Sequence, residues 1–164
     1  MGETAVTNQM DQLGDLLAPE AVQASLTAPN KKALFQQLAQ LAAKIAGCDP
    51  KLVLDRLVER ERLGSTGFGG GVAIPHGKID GLDHVVGLFA RLAQPIEFAA
   101  VDDMPVDLVF LLLSPPDAGV EHLKALARVS RKLRDRAFVE KLRGAGSDDA
   151  LYALFIGSES RDAA

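Results

Sequence analysis

A chain of 164 residues, 48% apolar and 24% charged, has the size and composition of one globular domain with a real hydrophobic core. Its net charge of −4 argues against a dedicated nucleic-acid binder, which carries a basic excess. The longest strongly apolar run, Leu108 to Leu113, is far short of a membrane span, and a single cysteine, Cys48, excludes intrachain disulfides and multi-cysteine metal sites.

Residues 1 to about 12 are small and polar and are expected to be loose. No Lys or Arg precedes Lys31, so the basic region of a targeting peptide is missing and a reducing cytoplasm is the expected setting. Residues 20–26 predict a first strand, closed by Ala28-Pro29-Asn30. From Lys31, the apolar positions Leu34, Phe35, Leu38, Leu41, Ala42 and Ile45 recur at helical spacing until Gly47 supplies a stop. Asp49-Pro50 restarts a helix with a capping residue and a proline at its first position, and this second helix ends at Gly64.

Gly64 to Gly71 then contains five glycines in eight residues, followed by three β-rich runs at 72–74, 85–92 and 106–113. The last is apolar on successive residues, as expected of a central strand buried on both faces. Ser114-Pro115-Pro116 ends it, and helical periodicity returns after Val120, with shorter helices around 137–143 and 148–155. Residues 158–164 read as a frayed tail. The order strand-helix-helix-strand-strand-strand-helix-helix-helix predicts one α/β domain with helices on both faces of a sheet.

The glycine-rich stretch fails both nucleotide-binding patterns. Gly77-Lys78 is followed by Ile79 where a phosphate-binding P-loop needs Ser or Thr, and Val72 and Ile74 occupy positions where a dinucleotide fingerprint needs glycine. The glycines serve either to let the chain turn sharply or to admit a bulky partner or phosphate. His76, between Ile74-Pro75 and Gly77-Lys78, is held by a proline of fixed φ and left open by the glycines. Imidazole is neutral and nucleophilic near pH 7, so His76 is a candidate to attack phosphorus without a separate base. His84 reads as a residue of a surface turn. His122 falls in the first turn of a helix, where it either bonds a phosphate oxygen or caps the turn. The three histidines fit no compact metal-ligand spacing. A metal-free phosphoryl-transfer site needs a guanidinium to neutralise the equatorial oxygens, and Arg60 or Arg62 lies at the right place. Eight Lys/Arg between His122 and Arg143, against Asp135 and Glu140, form either a solvated face or a surface for an acidic protein.

The segments Arg60-Glu61-Arg62-Leu63-Gly64-Ser65-Thr66-Gly67 and Ile74-Pro75-His76-Gly77-Lys78 closely resemble the IIA proteins of the bacterial phosphotransferase system (PTS), fructose/mannitol class. Within that class the chain looks most like the stand-alone nitrogen-regulatory IIA proteins. The resemblance covers residues 13–157, including Pro95-Ile96, Val106-Asp107-Leu108, His122-Leu123 and Ser147-Asp148. It implies a three-layer α/β/α sandwich with a mixed sheet, and a phosphotransferase role in which His76 accepts the phosphoryl group on Nε2. Arg60, sixteen residues earlier, matches the active-site arginine, and His122 matches a second histidine that supports the phosphate. Ser65, Thr66, Gly67 and Phe68 would form the loop facing the partner or the phosphate. The implied donor is an HPr-like phosphocarrier protein; no cofactor or metal is implied. With no attached IIB or membrane segment in these residues, the expected role is regulation of nitrogen- or potassium-related partners by phosphorylation state. A sugar-transport IIA serving a separate IIB and a non-catalytic binding module are the alternatives.

Overall fold

The apolar run at 106–113 lies where its composition places it, inside a mixed sheet and covered on both faces. The computed structural model describes residues 12–157. In chain order a 3-10 turn (Pro19–Ala21) leads into β1 (Val22–Leu26), then α1 (Lys31–Ala46) and α2 (Pro50–Arg62). Three short strands follow, β2 (Gly67–Gly69), β3 (Val72–Ala73) and β4 (His76–Lys78). Two long strands, β5 (Val86–Ile96) and β6 (Val106–Ser114), precede the helices α3 (Gly119–Leu133), α4 (Arg136–Gly144) and α5 (Asp148–Ile156).

The six-stranded sheet has the order β1-β5-β6-β3-β2, with β4 also pairing to β6. Strands β5 and β6 are antiparallel, β1 runs parallel to β5, and both β3 and β4 run parallel to β6. Successive residues of β6 point to opposite faces. Val109, Leu111 and Leu113 join the core made with Leu34, Phe35 and Leu38 of α1 and Val53 and Leu57 of α2. Leu108, Phe110 and Leu112 join the core made with α3, α4 and α5, including Val129, Leu142 and Phe155. Two cores on either side of one sheet make the three-layer α/β/α sandwich that the sequence implied.

Local chemistry sets the helix ends. Asn30 accepts a hydrogen bond from the Ala33 amide, Asp49 from Lys51 and Ser147 from Ala150. Gly47 closes α1 in the left-handed region, at φ 72°. Several boundaries differ from the sequence expectation, among them β5, which runs to Ile96 where the sequence predicts an end at residue 92. The first strand begins at Val22 because Pro19 opens a 3-10 turn. The run from Val72 to Lys78 is split at Ile74-Pro75, since proline has no amide to give to a ladder. Its register along β6 continues nonetheless: Val72 faces Leu108, His76 faces Leu112, and the Leu112 amide donates to the Pro75 carbonyl at 3.0 Å. Finally, part of the glycine loop is itself a strand. Gly69, Gly70 and Gly71 take φ of 114°, 68° and 82°, which folds β2 back onto β3.

Phe155 lies at the centre of an aromatic cluster, with ring centroids 4.8 Å from Phe89, 5.8 Å from Phe110 and 5.4 Å from Phe138. Phe155→Ala is expected to lower stability by about 3–5 kcal/mol in urea denaturation, because the cavity opens between sheet and helices where nothing can collapse into it.

Candidate functional site

His76 opens β4 directly after Pro75, at the end of the sheet where α2 finishes and α3 begins. Its Nδ1 lies 2.8 Å from the carbonyl oxygen of Ile74. A carbonyl only accepts, so Nδ1 carries the proton and Nε2 keeps its lone pair. The Nε–H of Arg60 donates to that Nε2 at 3.2 Å, while the Arg60 Nη1 donates to the Gly64 carbonyl at 2.8 Å. Burial is the chief reason the His76 pKa falls below 6.5. The Ile74 carbonyl opposes that shift, the Arg60 charge adds to it, and the Glu61 carboxylate opposes it. The result is a neutral imidazole whose Nε2 lone pair accepts from the adjacent guanidinium.

His122 is the second imidazole. It lies on α3, is buried, and places its ring centroid 5.6 Å from that of His76. Its Nδ1 is 2.6 Å from Oγ of the fully buried Ser114, the last residue of β6. Burial, then the neighbouring His76 and Lys78, hold its pKa below 6.5 as well. Leu63, just beyond α2, is 84% exposed, and Val120 and Leu123, on the same first turns of α3 as His122, are about two-thirds exposed.

The structure therefore brings His76, Arg60 and His122 together. Arg62, the other candidate guanidinium, is exposed, whereas Arg60 is the one that bonds His76. His84 is exposed and pairs with Asp83. In the loop expected to face the partner or the phosphate, Ser65, Thr66, Gly67 and Phe68, several polar groups already have partners within the chain. The Thr66 hydroxyl donates to Glu61 Oε1 at 2.6 Å, its amide is shared by both Glu61 oxygens, and the Gly67 amide donates to Ser65 Oγ. Gly67 is buried against Phe98 and Ala100, and Phe68 lies beneath the Arg134 guanidinium.

Glu61 had no role of its own in the sequence reading, although it sits in the R-E-R motif. It anchors the loop through Thr66 and accepts from Lys31 Nζ at 2.9 Å. Burial pushes its pKa up, but the bonds from Thr66, Lys31 and Ser65 outweigh this and hold it below 4.5. Lys31 lies thirty residues away, so only the fold could have paired it. Ser114 likewise read only as the end of a strand. Among the described residues no group of three or more His, Cys, Asp or Glu side chains could hold a metal ion. Nor is any helix long and apolar enough to cross a membrane.

Residues 15–157 match the family model described as phosphoenolpyruvate-dependent sugar phosphotransferase system, EIIA 2. The chain is a member of that family of phosphotransferase-system components. The nitrogen regulatory protein of Bradyrhizobium diazoefficiens is 50% identical over 140 residues, covering 85% of this chain and 92% of the relative. Among solved structures, nitrogen regulatory protein IIA-Ntr from Neisseria meningitidis has a TM-score of 0.82 at 34% identity, covering 87% of this chain and 97% of that one. The complex of enzyme IIA mannitol with phosphorylated enzyme IIB mannitol from Escherichia coli has a TM-score of 0.73 at 20% identity, over 87% of this chain and 99% of the matched chain, and shares the fold.

An NMR pH titration is expected to give midpoints below 6.5 for both His76 and His122. As pH falls from 6.5 the unfolded chain binds protons first. The stability these neutral rings allow is therefore complete above 6.5 and is lost as pH drops through the folded midpoints. His76→Ala should lessen that acid-induced loss in denaturant melts at pH 5 to 7.

Proposed function

We propose that this protein is a regulatory phosphocarrier that accepts a phosphoryl group on His76 Nε2 from a phosphohistidine of an HPr-like protein. The observation that carries the reading is the pair of bonds on His76: Nδ1–H held by the Ile74 carbonyl and Nε2 facing Arg60. The first makes Nε2 the nucleophilic atom; the second puts a fixed positive charge beside the place where phosphoryl oxygens would gather.

The transfer balances without a co-reactant. The Nε2 lone pair forms a bond to phosphorus as the donor's phosphorus–nitrogen bond breaks, and that bonding pair returns to the donor imidazole. Bonds of the same kind are made and broken, so the exchange is reversible. Arg60 releases Nε2 as the new bond forms and turns its guanidinium to the oxygens. The Ile74 carbonyl stabilises the positive character that the His76 ring gains. His122 lies close enough to bond one phosphoryl oxygen. Exposed apolar side chains close in sequence to Arg60 and His122, namely Leu63, Val120 and Leu123, suit a donor that is itself a protein.

Similarity to nitrogen regulatory proteins supports a regulatory role; on the proposed reading the regulator is cytoplasmic and its phosphorylation state governs its binding to nitrogen- or potassium-related partners. A second reading, a sugar-transport IIA that hands the group to a separate IIB, is favoured by the family description and by the mannitol IIA–IIB complex of the same fold.

Incubated with a phosphorylated HPr-type protein, the wild type is expected to take up acid-labile phosphate and His76→Ala none. Uptake that survives His76→Ala would move the site elsewhere, and no uptake by the wild type would end the carrier reading. Added IIB separates the two roles, since only a transport component passes the label on. Arg60→Ala should slow uptake by about 100- to 1,000-fold with the fold intact by circular dichroism.

A further inference from the structure

We propose that Ser114 is a positioning residue for the transfer: its buried hydroxyl donates to His122 Nδ1 and so leaves the proton of the neutral ring on Nε2, ready for a phosphoryl oxygen. The inference rests on the phosphocarrier reading for its purpose, but not for its geometry.

The Ser114 Oγ and His122 Nδ1 lie 2.6 Å apart, and one of them must donate. If the ring donated from Nδ1, the serine hydroxyl proton would need a second acceptor. Ser114 is 0% exposed, and its hydroxyl has no other hydrogen-bonding partner among the described residues. The buried proton would then be unpaired, which folded proteins avoid. With the hydroxyl donating, both atoms are satisfied. The ring then has an unprotonated Nδ1 and a protonated Nε2. That Nε2 is not sealed in the interior, since among the described residues no buried side-chain nitrogen or oxygen lacks a partner and no bond engages it.

The consequence bears on how a second histidine can help without becoming charged. His76 and Lys78 beside it, together with burial, disfavour an imidazolium. A neutral histidine donates from one nitrogen only, and the wrong tautomer would point a lone pair at an anionic phosphoryl group. Ser114 removes that choice. It is itself fixed by the sheet, pairing with Lys78 of β4 and accepting the Ile79 amide on its carbonyl at 2.8 Å. The same stretch of β4 that opens with His76 thus sets the hydroxyl that orients His122.

Ring-nitrogen NMR on histidine-labelled protein tests this before any phosphate is present. The wild type is expected to show His122 with an unprotonated, hydrogen-bonded Nδ1 and a protonated Nε2; a protonated Nδ1 would overturn the inference outright. Uptake of phosphate from a phosphorylated HPr-type protein should fall about tenfold in Ser114→Ala and recover in Ser114→Thr, which keeps the hydroxyl. In a His122→Ala background, Ser114→Ala should add no further loss. A further loss there, or an unchanged rate in Ser114→Ala alone, would contradict the positioning role. If the wild type takes up no phosphate, the phosphocarrier reading fails, while the tautomer result still stands or falls by itself.

Discussion

The hydrogen bond from His76 Nδ1 to the Ile74 carbonyl spans only two residues, yet the site is arranged around it. A neutral imidazole has one proton and two nitrogens, and a free ring divides that proton between them. Pinning it to Nδ1 makes Nε2 a permanent lone pair, and it also turns the ring so that Nε2 meets Arg60. The bond closes across Pro75, between the end of β3 and the start of β4. Residues 72–78 keep their register on β6, where the Pro75 carbonyl accepts the Leu112 amide, while the Ile74 carbonyl receives the His76 side chain.

The rest of the domain supplies rigidity to that short stretch. The central strand β6, buried on both faces, carries β4 on its edge and ends in the Ser114 hydroxyl. Helix α2 ends so that Arg60 reaches across to the ring, and Glu61, one residue on, ties down the following turn through Thr66 and Lys31. Helix α3 starts so that His122 packs beside His76. Three elements from distant parts of the chain thus converge on one imidazole ring, that of His76. On the proposed reading this is preorganisation: charges and donors stand ready where the phosphoryl oxygens arrive.

Much of this was legible in the sequence. Helical periodicity, the Asp49-Pro50 start of the second helix and the doubly apolar run at 106–113 set out the layers, while the Asn30 cap emerged only in the structure. Pro75 and the glycines singled out His76, and the family resemblance chose Arg60 over Arg62, which the contact with Nε2 now explains in physical terms. What stayed hidden was the partnering of ordinary residues. The glycine-rich loop gave no alternation from which strand β2 could be read, because glycine has no side chain to alternate. Thr66 looked available for a phosphate, yet its amide and hydroxyl are committed to Glu61. Ser114 looked like a strand terminator, yet it faces His122. Such pairings depend on which strand lies beside which, and no local pattern encodes that.

The central claim concerns one atom, so the most direct measurement looks at that atom. Phosphorylated protein carrying nitrogen-15 histidine, read by nitrogen and phosphorus NMR, reveals which ring nitrogen holds the phosphoryl group. The account predicts a phosphorus–nitrogen bond to Nε2 of His76, with Nδ1 of the same ring still protonated against Ile74. Phosphate on Nδ1, or on the ring of His122 or His84, would contradict it.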